Sequence, residues 1–512
     1  MQEVIKLNHC TMKNLKFASK NTKKRYSGYD PESSSTFRTK PQSNLTRRRF
    51  VGMSAATVAT FSIVPAHVLG GLKHQSPSDK LAIAAVGIGG VGKGYLEGCK
   101  EENIVALCDC DMNYAKPAFE RFPGARSYSD YRIMFDKEGK NFDALIIGTP
   151  DHTHAMIIME ALRHGKHIYC AKPITHNVHE ARMVRQAVLK SNLITQTSAQ
   201  SAGSNDARST EEILLSGVIG PIHEVHVWEQ QPIYSCSQLR PKDTPPIPEG
   251  LNWDLWLGPA PYRPYHPVYA PFRWRTWWDF GSGDVGDMAS HSFHVFFNAL
   301  QLGQRSPEFI SAYSSQHRDQ PDFKKDRTIN FGTDIYTNEC SSDASQVTWY
   351  FPSTGKLPAL SLYWYDGGMR PLRPAELDRN IPMPVSGILF VGKEGKLLCG
   401  FSGGKDLLLP FEKFKNFKRP RPTLPRTIGH YIEWTKGCKT NTPTNCPIDY
   451  GCQMIELALL GAIALRSIAP DPDLPRKRPA DLMEWDAKSM RFTNNEKANA
   501  WINPPYRQGW TL

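Results

Sequence analysis

The sequence predicts an α/β protein whose N-terminal domain is a doubly wound parallel sheet and whose C-terminal domain is of the α+β class. Three observations lead to this class. A glycine-rich turn follows a short apolar run near residue 87, strand-like and helix-like segments alternate through residues 79–200, and short alternating runs continue through residues 201–512. Because 512 residues exceed what one hydrophobic core usually supports, two domains and additional segments are expected.

Residues 1–75 are predicted to be a polar leader that ends in an export signal. The first 49 residues contain twelve Lys and Arg and three acidic residues, so they supply nine (12 − 3) of the net charge of +12. The +3 (12 − 9) left for the rest of the chain is too little for a basic binding face, which argues against a nucleic-acid partner.

The end of this leader carries the arginine motif Thr46–Val51, followed by the modest apolar run Gly52–Val64. A basic segment before such a run is typical of export signals, and the paired arginines predict the twin-arginine kind. The run is too short to be a stable membrane span. We therefore expect a periplasmic or otherwise exported bacterial protein that uses the twin-arginine export machinery; a disordered basic tail is the alternative.

The eleven cysteines include no Cys-x-x-Cys spacing, which predicts that the protein has no metal site. Reduced structural cysteines are expected, and a pairing of Cys438 with Cys446 is left open.

The glycine-rich turn lies between the apolar run Leu81–Val86 and a predicted helix. In this order, the first glycine permits a tight turn, the second lets backbone approach a pyrophosphate, and the third allows close packing of helix and strand. The helix N-terminus then presents N–H groups to the phosphates. A dinucleotide-binding Rossmann domain is therefore predicted over residues 79–200. Its turn residues are Gly87, Ile88, Gly89, Gly90, Val91 and Gly92.

A second strand, Ile104–Leu107, leads to Asp109, which is 17 residues beyond Gly92 (109 − 92). An acid at this place can accept hydrogen bonds from the adenosine ribose and repel a 2′-phosphate. The cofactor is therefore predicted to be NAD, with NADP left open. A glycine-rich corner that binds no ligand is the alternative.

Two further strands are each followed by residues that reach the same edge of the predicted sheet. Thr149, Pro150 and His154 follow the strand 142–147, and Lys172 follows the strand 167–170. Ligands gather at the carboxyl ends of parallel strands, so all four residues are predicted to bind the cofactor. A lysine at this edge can face the nicotinamide.

These motifs resemble the glucose–fructose oxidoreductase / inositol dehydrogenase family, often called Gfo/Idh/MocA. The resemblance is carried by the turn 87–92, TPDHTH at 149–154, AKP at 171–173 and GSGDVGDMASH at 281–291. The chain is also similar to exported family members that share the aromatic stretch 252–262 and an ending like residues 506–510. One position departs from the pattern: Ala171 stands where the family usually has a Glu thought to contact the nicotinamide-side ribose.

The resemblance implies that residues 201–512 form a substrate-binding domain on an open, mainly antiparallel sheet, whose face often makes an oligomer contact. A homo-oligomer is therefore expected. The resemblance also maps Lys172, Asp287 and His291 onto catalytic positions. Asp287 and His291 are four residues apart, so they share a helix face. A histidine suits removal of a hydroxyl proton, and Lys172 can stabilise an alkoxide.

Aromatic and basic residues between the motifs predict a sugar-binding surface. Trp274 and Trp278 can stack on apolar sugar faces, and Arg273 can bind hydroxyl groups. Core packing is the alternative for each tryptophan. The sequence thus predicts an exported NAD(P)-dependent oxidoreductase acting on a sugar, sugar alcohol or glycoside. An NAD-dependent glycosidase that uses transient oxidation, and a non-catalytic sugar-binding relative, are the alternatives.

Overall fold

A computed structural model of the chain describes residues 79–230, 240–315, 339–468 and 482–512, and two short strands at 317–318 and 334–335. The predicted leader and export signal at residues 1–75 lie outside the described residues. Cys438 and Cys446, whose pairing the sequence left open, are both free thiols.

The first sheet has six parallel strands in the order β3-β2-β1-β4-β5-β6. The strand order reverses at β1, as expected for a doubly wound sheet. Its strands are β1 Ala82–Val86, β2 Asn103–Cys108, β3 Arg126–Tyr128, β4 Ala144–Ile147, β5 His167–Cys170 and β6 Thr195–Thr197. Every residue of β4 is buried, which explains why its sequence is a continuous apolar run and not an alternating one.

Helices connect these strands and flank the sheet. They are α1 Val91–Gly98, α2 Lys116–Arg121, α3 Tyr131–Glu138, α4 Asp151–Arg163, α5 Val178–Leu189 and α6 Asn205–Leu215. The start of α5 is fixed by a capping box, in which Asn177 accepts from the backbone N–H of Glu180 and the Glu180 carboxylate accepts from that of Asn177. Helix α4 begins directly after Pro150, so its first turn lies at the carboxyl edge of the sheet.

The second sheet has nine strands in the order β15-β14-β13-β7-β12-β11-β8-β16-β17. All its pairings are antiparallel except β7 with β12. Its strands are β7 Ile222–Trp228, β8 Phe309–Ser314, β11 Ser345–Phe351, β12 Leu360–Tyr365, β13 Gly387–Gly392, β14 Lys396–Gly400, β15 Leu407–Leu409, β16 Met483–Asp486 and β17 Arg491–Phe492; β9 His317–Arg318 and β10 Asp334–Ile335 form a separate pair. The predicted fold class is confirmed by the two sheets.

The remaining helices follow β7 in the chain, and one of them, His430–Thr440, packs against the first domain through Trp434. They are α7 Trp253–Leu257, α8 Gly283–Ser292, α9 Phe411–Phe414, α10 His430–Thr440, α11 Ile448–Ser467 and α12 Glu496–Asn499. By length and composition α11 could cross a membrane, but 78% of its apolar window is buried inside the protein. It packs against α5, α8 and the strands β8 and β11, so it is the central core helix. One largest hydrophobic cluster therefore contains residues of both sheets.

Candidate active site

The glycine turn is held in a conformation that side chains would disrupt. Gly87 has φ +76°, and a Cβ there would overlap the backbone nitrogen of Thr149. A Cβ on Gly92 would overlap the carbonyl oxygen of Gly87. Gly90 caps α1 without any side-chain hydrogen bond, so backbone N–H groups form the helix N-terminus that faces the sheet edge.

A cavity of about 530 Å³ runs along the carboxyl ends of β1, β2, β4 and β5. Among the predicted site residues, its wall includes Gly87, Gly89, Gly90, Val91, Asp109, Thr149, Pro150, Lys172, Trp274 and Asp287. The other predicted residues, all within the described part of the chain, lie outside this wall: Ile88, Gly92, His154, Arg273, Trp278 and His291. Ile88 and Gly92 do not reach the cavity because both lie inside the turn. Ile88 is fully buried, and Gly92 packs against Gly87.

Asp109 stabilises the turn from the end of β2. Its Oδ2 atom accepts hydrogen bonds from the backbone N–H groups of Ile88 (2.8 Å) and Gly89 (2.9 Å). Burial raises the pKa of Asp109 to about 6, against the opposing effect of these hydrogen bonds. Asp109 lies on the cavity wall, at the position where the sequence predicts a contact with the adenosine ribose.

Lys172 and Asp287 form a buried ion pair on the cavity wall. The Lys172 Nζ donates to Asp287 Oδ1 at 2.9 Å and to the Asp287 carbonyl oxygen at 3.1 Å. Their side chains are 17% and 4% exposed. Burial alone would raise the pKa of Asp287, but the positive charges of Lys172 and Arg275 outweigh it, and the pKa is lowered. Asp287 is therefore ionised, and it fixes the lysine at the edge of the sheet.

His291 lies one turn of α8 beyond Asp287, as its spacing predicted, but behind the cavity wall. It is half-buried, and its carbonyl oxygen accepts a hydrogen bond from Ser402 Oγ at 3.0 Å. Burial, reinforced by the positive charge of Lys172, lowers the pKa of His291 to about 4. The imidazole is consequently neutral at neutral pH and able to accept a proton.

Comparisons with known proteins agree with this arrangement. Two models of one oxidoreductase family match the chain, the NAD-binding Rossmann fold at residues 81–198 and the C-terminal alpha/beta domain at residues 224–338. Both models describe the Gfo/Idh/MocA oxidoreductase family, so these two segments of the chain are similar to that family. The NAD-binding domain predicted from the glycine turn is thereby confirmed.

Curated relatives of this protein include inositol dehydrogenases. Inositol 2-dehydrogenase of Rubrobacter xylanophilus is 30% identical over 117 residues, which cover 22% of this chain and 33% of that protein. Myo-inositol 2-dehydrogenase of Thermotoga maritima is 21% identical over 155 residues, covering 30% and 46%. The match thus spans one third to about half of these relatives.

Solved structures of similar fold include the WlbA dehydrogenase of Bordetella pertussis in complex with NADH and UDP-GlcNAcA. It is 16% identical, with a TM-score of 0.48, and the match covers 76% of this chain and 97% of that one. A levoglucosan dehydrogenase in complex with NADH and L-sorbose has a TM-score of 0.47 at 16% identity, with coverage of 76% and 97%.

His154 supports the wall of the cavity from behind. Its Nδ1 lies 2.7 Å from the carbonyl oxygen of Pro173, and its Nε2 lies 2.8 Å from that of Thr149. Burial lowers the pKa of His154 to about 4. The imidazole therefore ties the segment after β4 to the segment after β5, and the sequence pattern could not show which way the ring points.

The predicted sugar-binding residues are divided among three places. Trp274 is buried and lines the cavity, where the guanidinium of Arg275 lies 4.3 Å from its ring centroid. Arg273 is exposed on the same short 3₁₀ turn. Trp278 lines a second cavity of about 300 Å³, which Glu180 and Trp501 also line. Arg273 and Trp274 are neighbours on this turn, which rotates successive side chains by about 120°, so they reach different surfaces; Trp278 lies beyond the turn.

Asp151 is a site residue that sequence reasoning missed. It is the first residue of α4, is 2% exposed and lines the cavity. Burial, together with the negative charge of Asp287, raises the pKa of Asp151 well above its usual range. Its nearest hydrogen-bonding partner is Ser282 Oγ at 3.4 Å. The signal was present in the TPDHTH motif, where an acid directly follows the proline that caps a helix at the sheet edge.

Ala171, which replaces the usual family Glu, also lies on the cavity wall and is 3% exposed. Its methyl group cannot accept hydrogen bonds from a ribose. Any such contact on this side of the cavity must therefore come from other residues, of which Tyr95, Thr149 and Lys172 share the wall.

Proposed function

We propose that this protein is an exported NAD-dependent oxidoreductase that interconverts a hydroxyl group and a carbonyl group on a sugar, sugar alcohol or glycoside. The observation that carries the proposal is the Lys172–Asp287 ion pair, which lies on the wall of the cavity that begins at the glycine turn. A charged lysine held beside a nicotinamide site is suited to redox chemistry on a hydroxyl group.

The cofactor fits the residues that would hold it. Side chains at Gly87 or Gly92 would overlap backbone atoms of Thr149 and Gly87, so these glycines keep the turn tight, and the α1 N-terminus beside it supplies N–H groups for a pyrophosphate. Asp109, half-buried on the cavity wall at the predicted adenosine ribose position, favours NAD because a 2′-phosphate would lie next to a carboxyl group. When bound, the nicotinamide accepts or supplies the hydride.

The protein's own groups handle the proton and the developing charge. Lys172, fixed by Asp287, places a positive charge where the substrate oxygen becomes negative, and so stabilises it. Neutral His291, one helical turn beyond Asp287, is the base that we expect to take up the hydroxyl proton. The substrate carbon loses a hydride and its oxygen loses a proton, so the product is a carbonyl compound.

The substrate class is supported by the walls of the cavity and by the relatives. Trp274 offers an aromatic face near Arg275, a combination suited to a polyhydroxylated ring. Curated relatives are named as inositol and levoglucosan dehydrogenases.

Export is proposed from the paired arginines at 47–49 and the apolar run after them. An exported enzyme meets little free NAD, so we expect it to leave the cytoplasm folded, with its cofactor retained and regenerated by a second substrate. A homo-oligomer and the twin-arginine export machinery remain the expected partners.

The test uses the full chain, purified from the periplasmic fraction, with the co-purified dinucleotide identified by mass spectrometry. The protein is incubated with polyols, sugars and aryl glycosides, while reduced nicotinamide and released phenol are both followed by absorbance. We expect cofactor reduction with at least one polyol or sugar. Phenol release without net reduction would instead support the glycosidase, and binding without either signal would support the non-catalytic relative. Recovery only from the cytoplasm would contradict export.

A further inference from the structure

The C-terminal residues 507–512, here called the C-terminal strap, return to the dinucleotide cavity, which the sequence gives no reason to expect. Trp510 in this strap is half-buried and forms part of the cavity wall. The strap therefore brings an aromatic ring to a site otherwise built by residues at least 200 positions earlier in the chain.

The strap is anchored by Arg507. Its Nε donates to the carbonyl oxygen of Gly258 at 2.9 Å, and its Nη2 donates to that of Asp254 at 2.7 Å. Its Nη1 also pairs with the Asp254 carboxylate. The backbone N–H of Arg507 donates to the carbonyl oxygen of Pro259 at 2.9 Å, and that of Trp510 donates to Arg507 at 3.1 Å. These contacts tie the strap to α7 and the turn after it.

The ring of Trp510 makes a second contact, with the side chain of Arg132. The guanidinium of Arg132 lies 4.8 Å from its ring centroid, a distance at which a cation attracts an aromatic face. Arg132 is itself held by two-point hydrogen bonding to the carboxylate of Asp130, with its Nη2 2.7 Å from Oδ2. Asp130 and Tyr131 also line the cavity.

These contacts place Trp510 at one defined end of the cavity. Asp130 follows β3, and Asp109 follows β2. In a sheet of this topology the acid after β2 marks the adenosine side, while the carboxyl ends of β4 and β5 mark the nicotinamide side. Lys172 and Asp287 lie at that second side, so Trp510 lies at the adenosine end.

We propose that the C-terminal strap closes the adenosine end of the cofactor cavity, with Trp510 packed against the adenine base. The inference rests on the proposed NAD binding and adds the group that retains the cofactor. Stacking of a base on an aromatic side chain contributes enough to slow dissociation substantially. The strap thereby provides the retention that an exported NAD enzyme needs.

The experiment compares Trp510→Ala with Trp501→Ala in the full chain. Trp501 is a matched control because its ring lies 4.7 Å from the guanidinium of Arg466 but lines the second cavity. Binding of NAD, AMP and nicotinamide mononucleotide is measured by calorimetry, after removal of any retained cofactor, and NADH dissociation is measured by stopped flow. We expect Trp510→Ala to weaken NAD and AMP binding and to speed NADH dissociation, each by about tenfold. Binding of nicotinamide mononucleotide should be unchanged, and Trp501→Ala should bind all three like the parent chain.

A second variant, Arg507→Gln, removes the anchor and leaves Trp510 in place. It should reproduce the loss of AMP affinity in part, because the strap then spends less time on the cavity. Unchanged AMP affinity and NADH dissociation in Trp510→Ala would overturn the proposal. An equal loss for the mononucleotide would also overturn it, because it would show a general structural effect. If the parent chain itself binds neither AMP nor NAD, the proposed function fails, and that result is distinct from failure of the strap.

Discussion

At the end of the cavity formed by β4 and β5, oppositely charged side chains are buried against one another, whereas the end formed by β2 and β3 places the rings of Tyr131 and Trp510 beside carboxylates. At the first end, Lys172 and Asp287 form a direct ion pair, and the negative charge of Asp287 contributes to the raised pKa of Asp151. At the second end, Asp109 accepts a hydrogen bond from the backbone N–H of Ile88 in the glycine turn, and the ring of Trp510 packs against the guanidinium of Arg132.

This difference teaches what each end can do. Burying a charged side chain costs free energy, and pairing it with an opposite charge offsets only part of that cost. The buried pair of Lys172 and Asp287 is therefore better explained by a function than by stability. At the β2–β3 end, the backbone N–H groups of the turn and the ring of Trp510 bind by shape and do not change ionisation. We therefore expect substitutions at the β4–β5 end to alter turnover, and substitutions at the β2–β3 end to alter cofactor affinity.

The largest expected effect comes from Lys172→Ala. Removing the ammonium group takes away the charge that stabilises the substrate oxygen, so kcat should fall about a thousandfold. NAD affinity, measured by calorimetry, should change by less than about threefold, because the pyrophosphate is held by the glycine turn. Lys166→Ala is the matched control: Lys166 immediately precedes β5, at the opposite end of the same strand, and donates to the Phe142 carbonyl oxygen. Near-normal kcat in Lys172→Ala would remove this residue from the mechanism.

The next largest effect is expected from Gly92→Ala, which tests cofactor binding at the glycine turn. The added methyl group would overlap the carbonyl oxygen of Gly87, so the turn must shift and NAD affinity should fall at least about tenfold. Gly94→Ala is a close control on the same helix, since a Cβ there meets nothing within 4 Å. It should bind NAD normally and unfold at the same or a higher temperature. Equal affinities of the two variants would refute the assignment of the turn to the pyrophosphate.

Much of this site could be predicted because its signals are local in the sequence. The turn needs glycine at defined positions, and the strands before Thr149 and Lys172 are continuous apolar runs that end at the sheet edge. The four-residue spacing of Asp287 and His291 is a property of one helix. Each of these follows from geometry within a single element.

The parts that were missed depend on contacts between distant segments. Arg507 meets Asp254, 253 positions earlier, and no sequence period reports such a contact. The direction of the His154 ring depends on the packing of α4 against Pro173. Asp151 is informative only once α4 is seen to begin beside Asp287, since an acid in the first turn of a helix is otherwise ordinary.

The smallest expected effect, and the one that depends on pH, is that of Asp151→Asn. The folded protein raises the pKa of Asp151 above its ordinary value of 3.8, so folding retains a proton that the unfolded chain releases as the pH rises above that value. The native carboxyl group therefore costs stability increasingly from about pH 4 upward, and asparagine, which cannot ionise, avoids this cost. We expect the melting temperature of Asp151→Asn to equal that of the parent chain near pH 4 and to exceed it by about 2 °C at neutral pH.

Calorimetric melting across this range tests the expectation, with the exposed Asp136→Asn on α3 as the control that should show no trend. At neutral pH, kcat should remain within about threefold of the parent value, because asparagine resembles the protonated acid in size and polarity. A variant that is less stable at neutral pH, or one that loses turnover as Lys172→Ala does, would show that Asp151 acts as an ionised carboxylate. Asp151 would then belong with Lys172 and Asp287 among the charged groups that the reaction requires.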